Sequence, residues 1–301
     1  MNDSIDSLLP TRPVSRDAAA PDLSSIETSV QAELAYLQPS LERPFNYTYE
    51  PPAGTPWQNY RRDQRTVRIV DARHLASRPE LGREGFALWD APSSLHDFSD
   101  PDEIVRLYYP EVAELACAAT GAANAYVFDH LVRKHMGGSA PLGFGRSAKA
   151  GPVAANGQVH NDYTEESGRK RLALVLGEPA AQRGVLRYSI VNVWRSIRAP
   201  VLDVPLAVCD ARTVEGADLV RAELRYRRRT GEIYLGLHNP RHRWSYFSAI
   251  DRQEALVFKQ YDSQADHIAR FTLHSAFRHP NVPVAAQPRE SIEARCLVVY
   301  Q

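Results

Sequence analysis

The 301-residue sequence has no apolar run long enough to cross a bilayer. Its longest apolar stretches, such as LALVLG at 172–177, fall far short of the roughly 20 residues that a spanning helix needs. The opening MNDSIDSLLPTRPVSRDAAAPD lacks a basic segment followed by a continuous apolar one, so a soluble, cytoplasmic protein is expected. Charge of one sign is also missing, with Lys plus Arg and Asp plus Glu at 36 each. Without a basic excess there is no electrostatic footprint for nucleic acid or for an anionic membrane surface, and neither is expected as a partner. Cysteine is scarce. Cys117, Cys209 and Cys296 form no CxxC pair and no even disulfide framework, which suits a reducing compartment. A GxSxG nucleophile elbow is absent as well, and the cysteines sit in apolar surroundings where a thiol is inert, so hydrolysis through a serine or cysteine has little support.

What is present is an ordinary globular mixture, 44% hydrophobic and 24% charged, long enough for one large core with extensions. Residues 1–60 carry many of the prolines with scattered aromatics and read as an extended N-terminal arm packed on a body at 61–301. TVRIVDAR at 66–73 alternates as a strand. Asp100, Pro101 and Glu103 form an N-terminal cap signature for a helix that Pro110 should break before a second helix, which Gly121 ends. After a strand at 124–133, the glycine-rich segment 136–157 reads as a lid. From Tyr188 onward, short β-rich runs follow one another with turn residues between them. The expected fold is mainly β with flanking helices: an antiparallel sandwich or barrel, buttressed by the helices before residue 120. The run Arg225 to Arg229 reads as a solvated hairpin tip rather than a polyanion site.

The chemistry begins at QVHNDYTEESGRK. In a strand, residues two apart point to one side, so His160 and Asp162 can reach one metal ion while Asn161 turns away. Two histidines and a carboxylate are the ligand set of non-haem Fe(II) sites that keep positions open for oxidant and cosubstrate. Taken alone, a His-x-Asp pattern is short enough to arise by chance. A third ligand has to come from a later strand. His274 is favoured because Arg270, Thr272 and His274 alternate with Phe271 and Leu273; His238, beside the turn Asn239-Pro240, is the second choice and His279 the third. In the last strand, Arg289, Ser291, Glu293 and Arg295 share one face, and Arg289-x-Ser291 suits a carboxylate through guanidinium and hydroxyl. A salt-bridged terminal strand is the competing reading. Asn192 and Trp194 are candidates for a substrate pocket, with core packing the competing role for the tryptophan, and Tyr261 is a further candidate beside Lys259.

The blocks VHND (159–162), NVWR (192–195), PLAVCDART (205–213), FKQYDSQ (258–264), RFTLHSAF (270–277) and PRESIEAR (288–295), taken in order, resemble the hydroxylase/desaturase family of secondary metabolism, which includes the cephamycin methoxylation component. The resemblance covers roughly residues 60–301. It implies an oxygenase on a double-stranded β-helix, the jelly-roll or cupin-like core. It also implies Fe(II), 2-oxoglutarate and O2, with His160, Asp162 and His274 as facial triad and an arginine of PRESIEAR, Arg289 or Arg295, on the cosubstrate carboxylate. The substrate implied is a small molecule that is hydroxylated, desaturated or cyclised. Asn161 stands where relatives often carry a small or apolar residue. A homodimer is the expected assembly. The non-enzyme alternative is a β-sandwich binding protein with a vestigial site or a different divalent ion.

Overall fold

Alternation of apolar and polar residues gives this chain two sheets, each with one face turned inward. In the computed structural model, residues 28–134, 155–177 and 184–300 are described. Nine strands form one sheet, in the spatial order β1 (Ser29–Leu37), β3 (Arg62–Asp71), β11 (Trp244–Tyr246), β8 (Leu206–Cys209), β13 (His274–Ala276), β6 (His160–Asn161), β10 (Thr230–Gly236), β9 (Leu219–Arg225) and β2 (Phe45–Tyr47). Five form the other, in the order β4 (Phe86–Asp90), β12 (Glu254–Asp262), β7 (Tyr188–Ser196), β14 (Glu290–Val299) and β5 (Asn124–Lys134). Pairing is antiparallel except for β11 on β3 and β2 on β9.

The helices cover the outer face of the five-stranded sheet. Asp100 accepts from the Asp102 amide and caps α1 (Pro101–Glu103), as its sequence position predicts. The expected break at Pro110 does not occur. The chain runs through a π-helical turn, Ile104–Tyr108, into α2 (Tyr109–Thr120), and the widened turn lies immediately before Pro110, which has no N–H to give to the helix. Gly121 ends α2 at φ 71°. Val112, Leu115 and Ala116 of α2 pack on Val191, Val193, Ile292, Ala294, Cys296 and Val298, so the odd positions of β7 and the even positions of β14 point outward. Their neighbours Asn192, Trp194, Ser291, Glu293 and Arg295 therefore point between the sheets.

A third helix, α3 (Glu165–Leu176), follows β6 at once. Its N-terminus is a capping box in which Thr164 accepts from the Ser167 amide and Ser167 Oγ accepts from the Thr164 amide. Gly168 lets this helix lie directly on β12, because a Cβ there would sit 2.7 Å from the Tyr261 ring. The first 27 residues of the expected arm lie outside the described residues, as does most of the expected lid; the remainder of the arm segment includes β1 and β2. The basic run forms the hairpin between β9 and β10, with Arg225 stacked 3.9 Å from the centre of the Phe45 ring. Among the described residues, no helix is long and apolar enough to cross a membrane.

Candidate metal and cosubstrate site

Two neighbouring strands of the nine-stranded sheet meet at one cross-strand pair. His160 of β6 lies opposite His274 of β13, with ring centres 4.2 Å apart. Asp162 follows in the turn after β6. The ligating atoms of His160, Asp162 and His274 all lie within 4.8 Å of one another. His238 and His279 lie elsewhere: the first packs edge-on against Tyr36, and the second contacts Tyr246.

Each donor is oriented by its surroundings. His160 Nδ1 donates to the Gln158 carbonyl at 2.7 Å and His274 Nδ1 to the Thr272 carbonyl at 3.2 Å. A carbonyl only accepts, so both rings carry a proton on Nδ1, which makes Nε2 the ligating atom of each; His160 Nε2 lies 3.2 Å from Asn156 Nδ2, a contact that a bound metal would displace. Burial, with the like charge of His160 behind it, pushes His274 down to about 3, so its ring is neutral. Asp162 Oδ2 accepts from Arg295 Nε and from Asn192 Nδ2, both at 2.9 Å, while Oδ1 lies 3.4 Å from His160 Nε2. Burial alone would raise this carboxyl; the charge of Arg295 is the largest influence opposing it, and Asp162 is held well below the usual carboxylate range. Asn161, turned away as expected, is fully buried. It donates to the Tyr163 and Gln260 carbonyls and accepts from the Thr272 amide, which clips the ligand loop to β12 and to the segment before His274.

The two arginines, Arg289 just before β14 and Arg295 on its inner face, have different surroundings. Arg295 sits among Asp162, Asp129 and Glu293, at 2.9, 3.0 and 2.9 Å. It is saturated by carboxylates, so the structure does not present it as a free cosubstrate clamp. Arg289 is buried, donates Nη1 to the Val204 carbonyl at 2.6 Å, and forms no ion pair with a carboxylate among the described residues. Burial and the like charge of Arg133 bring it down to about 10, still protonated at neutral pH. Beside it, the buried hydroxyl of Ser291 has no hydrogen-bond partner. A buried cation and an orphaned hydroxyl two residues apart on one strand face fit the distal carboxylate of a dicarboxylic cosubstrate.

Among the substrate-pocket candidates, Asn192 holds Asp162. Trp194 lies with its ring centre 5.5 Å from the Arg289 guanidinium, inside the apolar cluster of Leu206, Val208, Leu256 and Phe258. Tyr261 is not brought to the triad: its ring lies under Gly168 and its hydroxyl donates to Glu165 at 3.0 Å. Lys259 is a buried ion-pair partner of Asp262. A cavity of about 670 Å³ opens over His160 and Asp162, lined also by Leu131, Arg133, Tyr163, Arg171 and Leu224. The sequence reading missed Tyr163 and Arg171. Their signal was the capping box Thr164-x-x-Ser167, which starts a helix directly after the ligands.

A family model described as oxidoreductase/YMDC permease-like domain matches residues 34–299. The hydroxylase/desaturase efuI of Hormonema carpetanum is 32% identical over 78% of this chain and 83% of its own. The Fe(II)/2-oxoglutarate-dependent dioxygenase nvfI of Aspergillus novofumigatus is 31% identical over 90% of this chain and 97% of its own. A solved structure of the iron and alpha-ketoglutarate-dependent endoperoxidase NvfI superposes with a TM-score of 0.75 at 29% identity, covering 91% of this chain and 99% of that one. The two opposed sheets are thus the jelly-roll core of such oxygenases.

Proposed function

The chain belongs to the hydroxylase/desaturase family of Fe(II)/2-oxoglutarate-dependent dioxygenases, and from that premise we propose that it oxidises an unactivated C–H bond of a small-molecule substrate. Iron would be held by His160 Nε2, Asp162 Oδ1 and His274 Nε2. The observation that carries this reading is the convergence of all three: their ligating atoms lie within 4.8 Å of one another, while His160 Nδ1, His274 Nδ1 and Asp162 Oδ2 are tied to the protein. With Fe(II), 2-oxoglutarate and O2 bound, such a centre couples oxidative decarboxylation of the cosubstrate to removal of a substrate hydrogen.

The chain's own residues supply position and dryness. Arg289 and Ser291 would grip the distal carboxylate of 2-oxoglutarate, with the Trp194 face shielding the guanidinium from water. Arg295 and Asn192 keep the Asp162 carboxylate ionised and fix its rotamer. Phe258, with its ring centre 4.9 Å from that of His274, closes the apolar side of the site. Tyr163 and Leu131 line the open side, where the substrate enters. Hydroxylation, desaturation and ring formation share this machinery and differ in how the substrate is held.

The enzyme reading is favoured over a bare binding protein by the relatives, which are named as hydroxylase/desaturase or dioxygenase. Release of succinate from 2-oxoglutarate tests it. Slow, Fe(II)-dependent release by the wild type that vanishes in His160→Ala supports the proposal; no release at any iron concentration from a folded protein contradicts it.

A further inference from the structure

The cavity over the triad carries more positive charge than its own carboxylates neutralise. Arg295 serves both Asp162 and Asp129, Lys170 lies 3.1 Å from Glu166, and Arg43 pairs with Glu232. Arg133 faces Glu293 and Asp162. Two lining guanidiniums, Arg171 and Arg229, have no carboxylate partner among the described residues. Arg229 is exposed at the rim, stacked 4.0 Å from the centre of the Tyr226 ring.

Arg171 is the better defined of the two. Its guanidinium carbon lies 4.5 Å from the centre of the Phe128 ring and 5.8 Å from that of Tyr163, the residue next to Asp162. Its Nε is buried and has no hydrogen-bond partner. The height of α3 above the cavity is set by the contact of Gly168 with Tyr261 and by the capping box at Thr164, so Arg171 is held in place by its helix and by two rings. Arg171 is half-buried, with no carboxylate beside it among the described residues, and a planar carboxylate is the group that its fork matches. The walls beyond it are Leu131, Leu174, Leu224 and Ile233, which suit a hydrocarbon body.

We propose that the substrate is a carboxylic acid with an apolar skeleton, anchored by its carboxylate on Arg171 so that its body extends toward the triad. The chemical outcome rests on the oxygenase reading above; the binding preference does not. Arg171 would then set specificity by selecting acids over their neutral counterparts, with Arg229 adding attraction at the rim.

The test compares 2-naphthoic acid with 2-naphthamide, which share a ring system and differ in charge, by equilibrium binding to the full chain. The acid is expected to bind about tenfold tighter or better, the scale of a charge-assisted hydrogen-bonded pair. Arg171→Met should abolish that preference while leaving amide binding unchanged, and it should still form the visible chelate with Fe(II) and 2-oxoglutarate. If this variant does not fold, Arg171→Lys, which keeps the charge and loses the fork, should retain a reduced preference. Equal affinity of the two probes, no binding of the acid at millimolar concentration, an undiminished preference in the variants, or loss of the chelate in Arg171→Met would each overturn the proposal. A chelate without acid preference removes this inference alone; acid preference without a chelate removes the oxygenase reading alone.

Discussion

Arg295 Nε donates to Asp162 Oδ2 at 2.9 Å, and Asn192 Nδ2 donates to the same oxygen. The metal-binding carboxylate is thereby held by one atom and offered by the other. Arg295 is the shared counter-ion of Asp162, Glu293 and Asp129, of which Glu293 is buried and Asp162 nearly so. Replacing it by methionine leaves Glu293 without its ion pair and Asp162 with the neutral Asn192 amide in place of a cation. We expect Arg295→Met to weaken Fe(II) binding by about tenfold to a hundredfold, the usual effect of losing a ligand's outer hydrogen bond. The metal-free protein should lose about 3 kcal/mol of stability or more. Metal titration and urea unfolding measure the two effects; unchanged metal affinity would mean that Asp162 is oriented without Arg295.

Ser291 separates cosubstrate binding from folding. Its buried hydroxyl makes no hydrogen bond among the described residues, so Ser291→Ala should leave stability unchanged or slightly raised. The same substitution should raise the KM for 2-oxoglutarate severalfold, and Arg289→Met by about tenfold or more, with iron retained in both. If Arg289→Met keeps the wild-type KM, the cosubstrate carboxylate binds elsewhere.

Acid should loosen the metal-free protein as pH falls below the ordinary histidine value. His242 is held below the usual histidine value by burial, only partly opposed by its 3.2 Å contact with Asp218. Its folded pKa is depressed, so the unfolded chain takes up a proton first as pH falls below about 6.5. The stability contributed by neutral His242 is present above that value and is lost as pH falls toward the folded one. Urea midpoints measured from pH 7.5 to 5 should therefore decline, and His242→Gln should flatten the decline. An identical pH profile in the variant would remove His242 as a source.

His160 and Asp162 were legible because a period of two needs only local geometry. His274 was legible through the alternation around it, although Arg270 does not share that stripe: it pairs with Glu165 and the Asp262 carbonyl. The choice between Arg289 and Arg295 was not legible, since the same period puts both on one face. What separates them is that Asp162 sits beside one and the Val204 carbonyl beside the other, contacts between residues far apart in sequence. For Tyr261 the sequence offered packing as well as a pocket role, and the contact that covers it, with a glycine 93 positions earlier that brings α3 down over its ring, is one between residues far apart in sequence. The helix itself was hidden by LALVLG, whose Leu172 is buried while Leu174 is exposed.

The most direct measurement is an anaerobic titration with Fe(II) and then 2-oxoglutarate, followed by visible absorbance. The account predicts a weak charge-transfer band at one iron per chain, present in the wild type and lost in His274→Ala with the fold intact. A folded wild-type protein that binds Fe(II) without developing the band on addition of 2-oxoglutarate, or a band that survives in His274→Ala, would contradict it.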